Sequence, residues 1–184
     1  AQWAALPWVK SQKDKIQWGQ LTGSGLSIAI AQGVKQQDSL VLIVTPDTPS
    51  ALRLETELDY LLPDHPVMVF PDWETLPYDH FSPHQDIISS RLATLNTLKK
   101  EQQSVLIVPV STLMLRTAPA SFIYGSTLNF KVGDNLDTHS LRSNLEQAGY
   151  LHVQQVMEHG EYAIRGSIVD LYPMGSPHPF RLDF

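Results

Sequence analysis

The stretch LVLIVT, residues 40–45, decides the fold of the first half of the chain. It is too short and too uniformly apolar for a surface helix, and it predicts a strand that is buried on both faces. The run VLIVPV at residues 105–110 has the same character, and Val67 to Phe70 gives a third, shorter strand. Helical segments are predicted between these runs, at residues 28–34, 50–61 and 85–99. This alternation of strand and helix is typical of a parallel, doubly wound α/β sheet.

Local signals set the ends of the second predicted helix. Thr48 or Ser50 is the expected N-cap, because a side-chain oxygen at that position accepts a hydrogen bond from a free N–H of the first turn. Pro63 is expected to end the helix.

The second half of the chain has a different pattern and predicts a smaller α+β domain. We place the boundary so that residues 1–117 form the first domain and residues 118–184 the second. The second domain is expected to contain a short strand around residues 128–131, a helix at 138–148 stopped by Gly149, an antiparallel hairpin at His159-Gly160 and a final strand, FRLDF. Nothing follows that strand to complete the sheet, so we expect a fragment of a larger protein.

Composition excludes several classes of function. The 184 residues carry 13 basic and 19 acidic side chains, a net charge of −6, which disfavours broad binding to phosphate backbones. The absence of cysteine removes disulfides and thiolate metal sites and suits a reducing compartment. We find no export signal and no apolar run long enough to span a membrane, and therefore expect a cytoplasmic protein.

The segment GQLTGSGLSIAI, residues 19–30, has part of the pattern of a phosphate-binding loop, G-x-x-x-x-G-K-[ST]. Gly25 and Ser27 fit that pattern, and a strand is expected before the loop and a helix after it. Gln20 replaces the first glycine, and Leu26 replaces the lysine that would neutralise a polyphosphate. We therefore predict a degenerate loop that binds no nucleotide. The alternative is a turn between strand and helix that is unrelated to any nucleotide.

Three segments together carry a resemblance to a known family. The glycine loop, FPDWETLPYDHFSPHQDIISSRLATL at residues 70–95, and GEYAIRGSIVDLYPMGS with the closing FRLDF occur in the order and spacing of one family. They resemble the N-terminal UvrB-like module of the bacterial transcription-repair coupling factors. The resemblance implies a helicase-like α/β domain equivalent to UvrB domain 1a, without ATPase function, followed by a domain 2 that docks onto UvrA. It also implies that the UvrB hairpin that probes DNA damage is missing near Pro77.

The resemblance points to two arginines, Arg165 and Arg181, as the UvrA-binding residues. Read as one continuous strand, residues 161–170 would place Tyr162, Ile164 and Ile168 on one face, and Arg165 and Val169 on the other. Arginine suits an interface because its planar fork can bind a carboxylate through two hydrogen bonds. The alternative is that both arginines are solvated and paired with Glu161, Asp170 or Asp183.

The leading hypothesis is thus a non-catalytic adaptor with UvrA as its partner, and with no cofactor or metal. The resemblance further implies that the C-terminal region of the full-length protein masks the UvrA-binding surface, and that RNA polymerase and DNA are bound by other domains, which act as an ATP-dependent translocase. The main rival is an active UvrB-like, ATP-dependent DNA repair helicase component. A small-molecule enzyme would need a polar pocket near residues 46–50 and 71–80.

A metal cluster is a weaker hypothesis. Asp79, His80, His84 and Asp86 lie close in sequence, but Pro83 interrupts any helix that would align the two histidines. These residues are expected to be polar loop residues.

Overall fold

The structure is a computed structural model in which residues 7–9, 15–75, 80, 82–101, 103–117, 119, 131–133, 135 and 137–184 are described. The chain divides into two compact units, one of residues 1–72 with 98–115 and the other of residues 73–97 with 116–184. The domain boundary between residues 117 and 118 stays a prediction. The strand expected around 128–131 and the turn around Pro77 lie outside the described residues, apart from Lys131, which is in no strand.

The first unit is built on a three-stranded parallel sheet. Its helices and strands are α1 (Gly25–Val34), β1 (Val41–Thr45), α2 (Thr48–Leu61), β2 (Val67–Val69), β3 (Val105–Pro109) and the short α4 (Val110–Leu113). The strand order is β1-β3-β2, and both pairs are parallel, with Val105 opposite Val41 on one side and Val67 on the other. The parallel α/β sheet that the sequence predicts is therefore confirmed.

The core of the first unit lies between this sheet and the helices α1 and α2. The central strand β3 is buried along most of its length, as predicted. The expectation that β1 is buried on both faces is wrong. Val41 and Ile43 pack against the core, whereas Leu42 and Val44 are 51% and 47% exposed, because β1 is an edge strand of the described sheet.

Two local predictions for the first unit also need correction. The N-cap of α2 is Asp47, not Thr48 or Ser50: its carboxylate accepts a hydrogen bond from the Ser50 N–H at 2.8 Å. In the described residues 15–18, which precede the glycine loop, there is no strand, and residues 10–14 lie outside the described part of the chain. The helix after the loop is present and starts at Gly25.

The second unit combines helices with a four-stranded sheet. Its elements are α3 (Gln85–Lys100), which ends in the first unit, α5 (Thr138–Gln147), β4 (Leu151–His152), β5 (Glu161–Arg165), β6 (Ile168–Leu171) and β7 (Phe180–Asp183). The strand order is β4-β5-β6-β7. Leu141 and Leu145 of α5 pack on Tyr162, Val169 and Leu171 to form the core.

The predicted hairpin at His159-Gly160 is wrong. The strands on either side of that pair, β4 and β5, run parallel, with Leu151 opposite Glu161. The antiparallel hairpin instead joins β5 to β6 through the two residues Gly166 and Ser167, where Gly166 has φ = 60°. A two-residue hairpin turn favours a glycine with positive φ at its first position. The final strand, β7, confirms the prediction from FRLDF and pairs antiparallel with β6.

We predict that replacing Asp47 with alanine destabilises the first unit by about 1 kcal/mol, because the N–H of Ser50 loses its acceptor. The measurement is the free energy of unfolding by urea titration. Thr48→Ala is the matched control, since Thr48 is the neighbouring residue that the sequence had suggested as the cap. A loss of stability in the control equal to that of Asp47→Ala would contradict the assignment of the cap.

Candidate protein-interaction site

The turn at Gly166-Ser167 decides which side chains share a face of the second sheet. Ala163 lies opposite Asp170, and Asp170 lies opposite Arg181. Directly opposed residues in an antiparallel pair point to the same side, as do residues two apart in one strand. Arg165, Asp170 and Arg181 are therefore on one face, which we call the arginine face.

This arrangement corrects the assignment of faces made from sequence. Ile168 is opposite Arg165 and shares its face, whereas Val169 is opposite Ile164 and belongs to the core face with Tyr162. The sequence-based alternation treated residues 161–170 as one strand. The two turn residues end one strand and start another, so the alternation restarts at Ile168.

Arg181 is held by a bidentate ion pair with Asp170. Its Nε donates to Oδ1 at 2.6 Å and its Nη2 donates to Oδ2 at 2.9 Å. The Asp170 side chain is 18% exposed, while the Arg181 side chain is 65% exposed. The hydrogen bond from Arg181 holds the pKa of the Asp170 carboxyl below its usual value, and the positive charge of Arg165 acts in the same direction. The pair is thus anchored at the carboxylate and accessible at the guanidinium.

Arg165 is anchored differently. Its Nη2 donates a hydrogen bond to the backbone carbonyl of Gln154, and the residue is exposed at the end of β5. Both arginines that the sequence singles out are therefore fixed through one part of the guanidinium and open to a partner through the rest.

A shallow depression of about 460 Å³ lies beside these side chains. Besides the residues of the arginine face, it is lined by Gln155, Val156, Pro179 and Phe180. Phe180 is 54% exposed. Phe180 lies opposite Leu171 and therefore points to the core side of the sheet. The arginines themselves are among the side chains that protein-binding hot spots favour.

The pairing alternatives raised from sequence have different outcomes. Arg181 is paired with Asp170, as that alternative envisages. The Glu161 carboxylate instead accepts hydrogen bonds from the N–H groups of Met157 and Glu158, at 2.7 and 2.9 Å. Pairing with Asp170 and binding to a partner are compatible, because Arg181 stays largely exposed.

One residue of the predicted phosphate-binding loop, Ser27, contacts a carboxylate of α2. Gln20 is exposed with φ = 60°, Gly25 begins α1, and Leu26 is 44% exposed. Ser27, which would hold Mg²⁺ in a working loop, is buried, and its hydroxyl donates to Glu57 of α2. That hydrogen bond lowers the pKa of Glu57, and Arg53 contributes in the same direction. A carboxylate thus lies against the first turn of α1, where a working loop would bind a phosphate.

Sequence reasoning missed Glu57 as a functional candidate and named Asp170 only as one of three alternative partners of the arginines. A hairpin assigned to the dipeptide Gly166-Ser167 would have placed Asp170 opposite Ala163, on the face of Arg165. Glu57 carries no comparable sequence signal, because its partner Ser27 is thirty residues away.

The remaining candidates have structural contacts. His84 lies 3.3 Å from Asp86, which also contacts His159 at 2.8 Å, and Asp79 is outside the described residues. Among the described residues no group of three side chains could hold a metal ion. The ring of Trp73 packs on Arg91, with 4.0 Å from the guanidinium carbon to the ring centroid. None of the helices in the described ranges is both long and apolar enough for a membrane span.

Fold and site together define a class of protein, a mixed α/β protein with an arginine-bearing sheet face suited to binding another protein. Comparison with known proteins gives the family. A protein-family model described as "UvrB interaction domain" matches residues 128–184. The chain is 53% identical over 166 residues to the transcription-repair-coupling factor of Escherichia coli K12 and 51% identical over 158 residues to that of Haemophilus influenzae Rd. It is 25% identical over 163 residues to the Bacillus subtilis protein.

These matches cover 90%, 86% and 89% of the chain, but only 14% of each relative. The chain belongs to the transcription-repair coupling factor family and corresponds to its UvrB-like module. The family resemblance drawn from the three sequence segments is thereby confirmed.

We predict that the Asp170–Arg181 pair stabilises the second unit only while Asp170 is ionised. Because the folded-state pKa of Asp170 is depressed, this stabilisation is present above the ordinary aspartate value of about 3.9 and is lost as the pH falls through the folded-state value. The difference in unfolding free energy between the wild type and Asp170→Asn should therefore shrink between about pH 6 and about pH 3. Urea titrations at the two pH values measure it. In an Arg181→Ala background the shrinkage should disappear, and its persistence there would contradict the prediction.

Proposed function

We propose that this chain is a non-catalytic adaptor module that binds UvrA through the arginine face. The observation that carries the proposal is the placement of Arg165 and Arg181 on one exposed face, each with its guanidinium anchored on one side. Two pre-oriented forks can bind carboxylates of a partner with little further loss of side-chain freedom. The depression beside the two arginines, with Val156 and Pro179 in its lining, would supply apolar contact.

In this proposal the chain links a stalled RNA polymerase to nucleotide excision repair. Other domains of the full-length protein would bind RNA polymerase and DNA and act as an ATP-dependent translocase. The C-terminal region of the full-length protein would mask the arginine face until activation, so the present chain should bind UvrA constitutively. A cytoplasmic location, expected from the cysteine-free composition, is part of the same proposal.

The arrangement at the glycine loop supports the non-catalytic part of the proposal. Leu26 supplies no ammonium group for a triphosphate, and the Ser27 hydroxyl is already used by Glu57. An incoming phosphate would meet the negative charge of that carboxylate at the first turn of α1, where a helix N-terminus alone contributes only about 0.3–1 kcal/mol toward an anion.

We predict that Arg165→Ala and Arg181→Ala each weaken binding to UvrA by roughly 2 kcal/mol or more, about thirtyfold, as for other arginine hot spots. Isothermal titration of UvrA with the chain measures this. Arg116→Ala is the control, because Arg116 is also exposed and its loss changes the net charge equally. Unchanged affinity in both variants, or an equal loss with Arg116→Ala, would remove the basis of the proposal.

We also predict that saturating Mg-ATP leaves the melting temperature of the chain unchanged. A ligand present at about 100 times its Kd would stabilise the folded state by about 2.7 kcal/mol, which a thermal melt would detect. Leu26→Lys alone should not create a response, because Glu57 still occupies the first turn of α1. A clear upward shift of the wild-type melting temperature would favour the rival hypothesis of an active UvrB-like helicase component.

A further inference from the structure

We propose that Asp170 is a positioning residue for the UvrA contact: it orients Arg181 so that the outer edge of the guanidinium binds a carboxylate side chain of UvrA. This inference rests on the proposed function. It adds a residue and a geometry that the family match does not specify, namely an acidic residue that strengthens binding to an acidic partner group.

The geometry of the ion pair leaves one side of Arg181 free for a partner. A guanidinium has five N–H donors in a fixed planar fork. Asp170 takes one from Nε and one from Nη2, both on the same edge of the fork. The edge formed by Nη1 and the second N–H of Nη2 remains. The N–H groups of that edge have the spacing to donate two parallel hydrogen bonds to a second carboxylate.

Asp170 is well placed to hold this orientation. It lies in β6 between Ala163 of β5 and Arg181 of β7, and its side chain is largely buried. The hydrogen bonds from Arg181 keep the pKa of its carboxyl below the usual value, so the group is ionised at neutral pH. A free arginine side chain carries about 2 kcal/mol of rotamer entropy, and an ion pair formed before binding removes part of that loss from the binding step.

Charge alone predicts the opposite effect, namely that Asp170 weakens the binding of UvrA. A carboxylate next to Arg181 repels an incoming carboxylate and competes for the same guanidinium. Competition would require the partner to use the edge formed by Nε and Nη2, which Asp170 already occupies at 2.6 and 2.9 Å. Because the other edge is open, the two roles predict opposite effects of Asp170→Asn on the affinity for UvrA. Positioning predicts weaker binding, and competition predicts tighter binding.

The test is titration of UvrA with Asp170→Asn, which preserves the size of the side chain and removes its charge. Positioning predicts a roughly two- to tenfold weaker affinity, the cost of ordering one more side chain. Asp170→Glu, which keeps the carboxylate, should recover part of the affinity. If Asp170→Asn fails to fold, the comparison is between Asp170→Glu and Asp170→Ala, and Asp170→Glu should bind UvrA more tightly. Asp64→Asn is the matched control, because Asp64 is exposed, lies in the first unit and not on the arginine face, and its loss also removes one negative charge. It should leave the affinity unchanged or increase it.

A second measurement separates positioning from a general structural effect. In an Arg181→Ala background, Asp170→Asn should cause no further loss of affinity, because the side chain it orients is gone. Equal or tighter binding by Asp170→Asn, or a full additional loss in the Arg181→Ala background, would overturn the inference. If Arg181→Ala weakens binding and Asp170→Asn does not, only this inference fails. If the wild-type chain does not bind UvrA, the proposed function fails with it.

Discussion

The arginine face depends on one constraint, the turn at Gly166-Ser167. Gly166 has φ = 60°, a conformation that costs other residues free energy, and it fixes the pairing of β5 with β6. A slip of one residue would exchange the two faces of the sheet. Val169 would leave the core formed with Tyr162, and Asp170 would be forced into it. The same packing that keeps Tyr162 and Val169 fully buried therefore keeps the arginine face exposed.

The two units satisfy their charged groups in different ways. In the first unit, the Glu57 carboxylate accepts hydrogen bonds from the Ser27 hydroxyl and from Arg53, so its charge is engaged within the fold. In the second unit, Asp170 engages one edge of Arg181 and leaves the guanidinium exposed. The negative charge of Glu57 at the first turn of α1 disfavours a phosphate there, whereas a half-engaged arginine keeps hydrogen-bond donors for a partner. This contrast favours an interaction module over a nucleotide-dependent enzyme.

Much of the fold follows from sequence, because apolar runs and helical periodicity indicate strands and helices, although the run at β1 does not predict that Leu42 and Val44 are exposed. The three strands of the first sheet, the helices after them and the final FRLDF strand are found close to their predicted positions. The failures come from interactions that depend on distant residues. The parallel pairing of β4 with β5 is of this kind. The N-cap of α2 is a local feature, but the sequence-based prediction places it at Thr48 or Ser50 and not at Asp47.

The candidate site shows the same difference between what the sequence predicts and what depends on residues distant in sequence. The family resemblance supplies Arg165 and Arg181 as positions, but it does not say how either guanidinium is oriented. Orientation depends on the pairing of β6 with β7, which puts Asp170 directly opposite Arg181 although eleven residues separate them. A substitution that preserves both arginines but shifts this register would therefore lose the face while keeping its sequence motif. The proposed function of the arginine face therefore depends on the strand pairing as much as on the two arginines.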